Sequence, residues 1–185
     1  MQLQYADALK ILEKSSLLYA QPEIDRCILN IANQLKHDIG NDIPLFLTIM
    51  NGGMFFAVNL LQHLDIPCQS DYAHLSRYGN DKITGSAHCV WHRAPKLEDL
   101  NAKHVYIIDD ILDEGHTLAE VKNFVLGAGA KSCKIIVLVD KDLGKEKPIT
   151  ADYVGISVPN KYLFGYGMDI FGLYRQLPNL YVYNE

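Results

Sequence analysis

The side chains best suited to chemistry are concentrated in one run of thirteen, Val105-Tyr106-Ile107-Ile108-Asp109-Asp110-Ile111-Leu112-Asp113-Glu114-Gly115-His116-Thr117. Its hydrophobic half reads as a strand, and two adjacent carboxylates stand at the strand's carboxyl end, where open α/β sheets bind their ligands. The residues that follow form a loop feeding a helix. Such a loop offers backbone N–H groups, a glycine that permits close approach and the Thr117 hydroxyl, together able to hold a terminal phosphate. Carboxylates beside an anion site make sense if Asp109 and Asp110 bind sugar hydroxyls or a Mg²⁺ ion, which favours oxygen ligands. On composition alone, the same run is also compatible with a strand followed by a solvated acidic turn.

The elements that must carry these residues follow from hydrophobic period. A strand is expected over His104–Asp109, a loop over Asp110–His116, a helix over Thr117–Leu126 with Leu118, Val121 and Val125 inward, and another strand over Ile135–Val139. An earlier unit repeats the plan, with strand Leu45–Met50, the tight loop Asn51-Gly52-Gly53 and helix Phe55–Leu64. Upstream, Ile24, Ile28, Ile31, Ala32, Leu35 and Ile39 share a helical face opened by Pro22 and closed by Gly40. A shorter helix is expected around Leu9, Leu12 and Leu17. Near-continuous apolar strands alternating with helices predict an α/β protein, its central parallel sheet buried on both faces. The segments Gln69–Tyr78 and His88–His92 are joined by the polar stretch Gly79–Ser86, too long for a tight hairpin and suited to a mobile flap. The last part, with Tyr153–Val158 and the Gly165-Tyr166-Gly167 turn, reads as short strands and loops, and no internal repeat or linker divides residues 1–185 into more than one domain.

A chain of 185 residues can bury about 70% of its unfolded surface, so it needs no metal or disulfide staple. Hydrophobic residues at 49% and charged ones at 21% exclude a disordered or fibrous chain. The formal charge of -5 gives no field favouring a phosphate polymer, so nucleic acid is not an expected partner. Charges at Asp7, Lys10, Glu13 and Lys14 interrupt the start, and no apolar run approaches the ~18 residues of a membrane helix. Four scattered cysteines, at 27, 68, 89 and 133, read as reduced thiols of a cytoplasmic protein. His88 and His92 lie ~13 Å apart along a strand, too far to chelate one metal.

The thirteen-residue run, with its hydrophobic strand, Asp-Asp, two aliphatics, Asp and Gly-x-Thr, resembles the phosphoribosyl pyrophosphate motif of the type I phosphoribosyltransferases. From about Leu45 to Arg175 the chain is similar to their hypoxanthine-guanine branch. The resemblance implies a parallel five-stranded core with a small hood contributed by the N- and C-terminal segments. It also implies transfer of ribose 5-phosphate from phosphoribosyl pyrophosphate to hypoxanthine or guanine with Mg²⁺, releasing pyrophosphate, in purine salvage. The expected assembly is a homodimer or homotetramer.

Carried onto this sequence, the resemblance has Asp109 and Asp110 bind the ribose hydroxyls, directly or through Mg²⁺, while Asp113, Glu114, Gly115, His116 and Thr117 enclose the 5-phosphate. Asp113 matches the general base near purine N7. Met50-Asn51-Gly52-Gly53 resembles the pyrophosphate loop, with a non-proline cis peptide expected at Met50–Asn51; turn statistics alone would make Asn-Gly-Gly an ordinary turn. Lys141, just past the Ile135–Val139 strand, matches the lysine that donates to the purine 6-oxo group, although alone it reads as a surface lysine. Tyr162 matches the aromatic that stacks on the base, Leu163 supplies a main-chain contact, Asp169 lies near the purine 2-position and a second Mg²⁺, and Arg175 matches the pyrophosphate-binding arginine.

The chain departs from the pattern at three places. Asn51 stands where many members have lysine, Glu114 follows Asp113 where threonine is frequent, and the flap carries Arg77-Tyr78 in place of Ser-Tyr, which restores a positive charge to the pyrophosphate region. Two rivals remain: a transferase for xanthine or a pyrimidine, and a regulator that senses phosphoribosyl pyrophosphate. The second needs a basic surface or an added DNA-binding module, and the charge of -5 argues against it.

Overall fold

The computed structural model describes residues 4–78 and 88–184, with backbone alone at Arg77, Tyr78 and His88. The expected flap therefore falls largely outside the described residues, as do the side chains of Arg77 and Tyr78. In chain order the elements are α1 (Tyr5–Glu13), β1 (Ser15–Tyr19), α2 (Gln21–Ile39), β2 (Leu45–Met50), α3 (Met54–Gln62), β3 (Gln69–Tyr78) and β4 (His88–Arg93). They continue with α4 (Leu97–Leu100), β5 (His104–Leu112), α5 (His116–Gly127), β6 (Ser132–Asp142), β7 (Tyr153–Pro159), β8 (Leu163–Phe164) and β9 (Leu180–Tyr183).

The main sheet has six strands in the order β4-β3-β2-β5-β6-β7. Five are parallel, as expected, and β4 adds an antiparallel edge against β3. Alternation along β5 and β6 explains the unbroken apolar runs: Tyr106, Ile108, Ile136 and Leu138 enter the core beneath α2 and α3. Their neighbours Val105, Ile107, Ile135 and Val137 enter the core beneath α5. The inward face of α2, Ile24, Ile28, Ile31, Ala32, Leu35 and Ile39, is the one the periodicity picks out. Each large aliphatic among them contributes roughly 1.5–3 kcal/mol by its burial.

Three boundaries differ from expectation. Leu17 lies in β1 rather than in a helix, because β1 pairs antiparallel with β9, with Leu17 opposite Tyr181. Together with β8 these strands form a separate three-stranded sheet made from both ends of the chain. Next, β5 runs on through Asp109 and Asp110 to Leu112, and α5 starts at His116 rather than Thr117. Finally, β6 extends to Asp142, so Lys141 stands within a strand, buried, rather than beyond one. The last two share a cause. The parallel ladder between β5 and β6 continues past the apolar run, pairing Asp109 with Val137, Ile111 with Val139 and Leu112 with Asp140. Polar residues there, Asp109 facing the cleft and Asp140 turned away from it toward Lys147, do not end the backbone pairing.

Candidate active site

The carboxyl ends of β2, β5 and β6 open onto a cleft of about 360 Å³, and an adjoining recess of about 230 Å³ shares Asp109, Asp110, Ile111 and Asp113 with it. The ladder fixes the backbone of Asp109 and Asp110, so their side chains have little choice of direction. Burial pushes the Asp109 carboxyl well above the usual carboxylate range, and the neighbouring Asp110 charge adds to this. Asp110 is also raised by burial, while Arg175 draws both downward. Two like charges at a dry strand end call for a cation or for hydroxyl donors.

Past Leu112 the chain leaves the ladder. Gly115 adopts φ +84°, a left-handed conformation that glycine accepts without cost, and its carbonyl accepts the Ala119 N–H at 2.9 Å to start α5. The resulting turn, with Glu114, Gly115, His116 and Thr117, lines the recess at the N-terminus of α5, where the helix dipole favours an anion. Asp113 sits at its lip, half exposed, with Oδ2 accepting from Lys141 Nζ at 2.9 Å. The Lys141 ammonium is thus buried and paired, not a solvated surface charge. On the far side, Thr117 Oγ1 lies 4.0 Å from Cys89 Sγ, and the Trp91 indole N–H donates to Glu120 at 3.0 Å, so β4 is fastened to α5.

The opposite wall comes from distant segments. The Met50–Asn51 peptide is cis, as the resemblance implies. Beyond it Gly52 passes so close to Asp110 that a Cβ there would collide with the carboxylate, and Gly53 would bring a Cβ to 2.9 Å from the Ile49 and Ile108 carbonyls. Gly167, at φ +105°, leans on the Gly52 carbonyl with the same absence of room. Arg175 donates to the Gly167 carbonyl at 2.6 Å and is ion-paired to Asp169, whose other oxygen accepts from the Gly172 N–H at 2.7 Å. Tyr162 is 51% exposed at the rim, with its phenol pushed up by partial burial, and Leu163 is buried in β8.

Asn51, Gly52, Asp109, Asp110 and Asp113 therefore share one cleft with Lys141, Tyr162, Leu163, Asp169 and Arg175. Gly53 is buried just behind it, against Asp109 Cα. Met50, expected as the first residue of the pyrophosphate loop, lines the cleft too, as do Met168, Ile111 and Ile49, which sequence reasoning did not assign to the site. Their apolar side chains carry no chemical signal, and only their place between Asp110 and Asp113, or before Asn51 and Asp169, could have marked them. Among the described residues no three metal-ligating side chains converge. Mg²⁺ does not require that, since it takes one or two carboxylates and completes its shell with water and substrate phosphates. The oxygen donors of Asp109 and Asp110, raised by burial and only partly offset by hydrogen bonds and by Arg175, suit such an ion. Asp169, held by Arg175, would have to share its carboxylate. Elsewhere, His92 contacts Ser76 Oγ at 2.7 Å and lies beside His74, with ring centroids 4.8 Å apart.

A family model, the phosphoribosyl transferase domain, matches residues 15–170. Among curated proteins, a hypoxanthine-guanine-xanthine phosphoribosyltransferase of Tritrichomonas foetus is 32% identical over 170 residues, 91% of each chain. A hypoxanthine-guanine phosphoribosyltransferase of Bacillus subtilis is 30% identical over 166 residues, 88% of this chain and 89% of that one. The crystal structure of a hypoxanthine-guanine phosphoribosyltransferase from Bacillus anthracis, with a HEPES molecule in its active site, matches with a TM-score of 0.82 at 26% identity, covering 90% of this chain and 97% of that chain.

Proposed function

The chain belongs to the phosphoribosyl transferase domain family, and on that premise we propose that it is a 6-oxopurine phosphoribosyltransferase of purine salvage, making IMP or GMP from hypoxanthine or guanine and phosphoribosyl pyrophosphate. The observation that carries this reading is the adjacent carboxylates of half-buried Asp109 and buried Asp110, between an anion recess at the N-terminus of α5 and a cleft that holds Lys141 and Tyr162. The 5-phosphate sits on the amides of residues 113–117 and the Thr117 hydroxyl. Asp109 and Asp110 hold the ribose hydroxyls, and the amides of Asn51 and Gly52 with Arg175 hold the pyrophosphate, while Gly53, whose N–H donates to the Ile49 carbonyl at 3.0 Å, shapes the loop behind them. Asp109 or Asp110 and, for a second ion, Asp169 would hold Mg²⁺, which would supply neutralising charge for the pyrophosphate oxygens.

As the bond from ribose C1 to pyrophosphate breaks, positive charge develops on the sugar and negative charge on the leaving group. Preorganised groups of opposite sign lower that barrier, with Asp109, Asp110 and Asp113 facing the sugar and loop amides and Arg175 facing the pyrophosphate. Lys141 donates to the purine 6-oxo oxygen, Tyr162 covers the base, and the Leu163 main chain meets its edge. Asp113 takes up the proton at N7 while a purine ring nitrogen bonds to C1. Since Lys141 already touches Asp113, base recognition and proton transfer share one ion pair.

The same reading takes residues 1–185 as one domain hooded by the β1-β9-β8 sheet, a homodimer or homotetramer in the cytoplasm, without nucleic-acid or membrane partners. No helix among the described residues is long and apolar enough to cross a membrane. The test is product formation by purified protein with phosphoribosyl pyrophosphate, Mg²⁺ and, in separate reactions, hypoxanthine, guanine, xanthine and adenine. IMP and GMP are the expected products. Donor binding without nucleotide formation from any base would reject catalysis in favour of a sensor, and turnover confined to another base would reject the substrate class.

A further inference from the structure

Lys147 was not marked by any sequence pattern, yet its side chain is only 11% exposed. Its ammonium donates to the Leu112 carbonyl at 2.8 Å and to Asp140 Oδ1 at 2.6 Å. Those two acceptors belong to residues that face each other at the end of the β5–β6 ladder. One residue further along the chain from each, Asp113 and Lys141 form their own pair at 2.9 Å. The two strand ends are therefore laced twice, once through the cleft-facing Lys141 and once, from behind, through Lys147.

We propose that Lys147 is a positioning residue for the anion recess, fixing the point at which the loop of residues 113–117 leaves β5 and thereby aiming its amides at the donor phosphate. This rests on the reading of that loop as the 5-phosphate site. Lys147 lines neither the cleft nor the recess, so it acts through the backbone. The residues after it complete the support: a Cβ on Gly115 would meet Ile149 Cγ2 at 3.0 Å and Pro148 Cδ at 3.6 Å, so the floor under the loop is the segment Lys147 anchors. A lysine in a connecting segment is ordinarily solvated, and burying its ammonium is costly unless it is well paired. Here both partners are strand-end acceptors in a partly buried place, and a Lys–carbonyl–carboxylate arrangement fixes their separation. Loss of the ammonium frees the Leu112 carbonyl and lets the first residue of the loop drift, and small displacements of anion-binding amides weaken phosphate contacts.

The experiment compares GMP with guanosine, which differ only in the phosphate, by calorimetric titration of the full chain in its wild-type and Lys147→Met forms, with thermal melts to confirm folding. Wild-type protein is expected to prefer GMP, and in Lys147→Met that preference falls about tenfold, equal to about 1.4 kcal/mol, with guanosine affinity unchanged. Lys147→Arg, which keeps a charged donor, retains most of it. If Lys147→Met does not fold, Lys147→Gln takes its place in the same comparison. A variant that loses affinity equally for both ligands, or keeps the full preference, overturns the assignment while leaving the functional reading intact. Wild-type protein that shows no preference for GMP and makes no nucleotide removes that reading, and this inference with it.

Discussion

One wall of the cleft comes from a single run of chain, Asp109 to Thr117, whereas the other is assembled from Met50–Gly53, Lys141, Tyr162–Leu163 and Asp169–Arg175. The first wall inherits its geometry from a parallel ladder and the start of a helix, so its precision comes from regular backbone hydrogen bonds. The second has little such scaffolding between residues 165 and 175. Its path includes left-handed Tyr166, Phe171 and Tyr174, and it is located by glycine backbones pressed together at Gly52 and Gly167. Regular structure makes a site locally robust, while close backbone contact makes it dependent on residues far away in sequence. Asp113 belongs to both, since it starts the phosphate loop and bonds the base-side lysine.

The largest expected effect falls on that shared residue. Asp113→Asn should retain donor binding and lose about 10² to 10⁴ in turnover, the range for a missing general acid-base group; turnover at the wild-type rate would remove Asp113 from the chemistry. On the ladder-built wall, Asp110→Ala should weaken the donor and raise the Mg²⁺ concentration needed for half-maximal rate, each by roughly tenfold or more, since a charged contact contributes about 1.5–3 kcal/mol. Identical donor and metal titrations would refute that role.

On the assembled wall, Lys141→Gln should depress kcat/KM for hypoxanthine and guanine by roughly tenfold more than for adenine, because the site stops demanding an acceptor at that position. Equal losses for all three bases would reduce Lys141 to a partner of Asp113. Combined with Asp113→Asn it should cost less than the sum of the two, since both changes remove one ion pair. The smallest effect is expected at Tyr162: removing the ring should cost about 1 kcal/mol of base binding, the low end for aromatic stacking, because half of the side chain is in solvent. Base affinity that does not change in Tyr162→Ala would show that the rim plays no part in holding the base.

The same contrast governs what could be read in the sequence. The α/β class, the inward face of α2 and strand β2 are written in local period, and they appear in the structure where the period puts them. The acidic run is legible for the same reason, since a contiguous wall is encoded contiguously. Local period is silent where an element depends on a remote partner. Leu17 belongs to a strand only because its β9 partner, Tyr181, lies 164 residues further along, and Lys141 is buried only because β5 and β6 extend their ladder beyond their apolar residues. Lys147 is the extreme case: nothing in Gly144-Lys145-Glu146-Lys147-Pro148 distinguishes one lysine from the other, and only folding brings Leu112 and Asp140 to it.

The attachment of β4 to α5 gives the protein an optical property. Trp91 is the only tryptophan in the chain, its indole donates to Glu120 and its ring lies 4.8 Å from Phe124, so all tryptophan emission originates at the seam between the β3–β4 ribbon and the helix whose N-terminus forms the anion recess. Excitation at the red edge of the near-ultraviolet band, where the eleven tyrosines contribute little, reads the polarity of that seam without any label. A ligand that shifts the ribbon against α5 registers as a change in the colour of the emitted light, and one that leaves the seam closed does not.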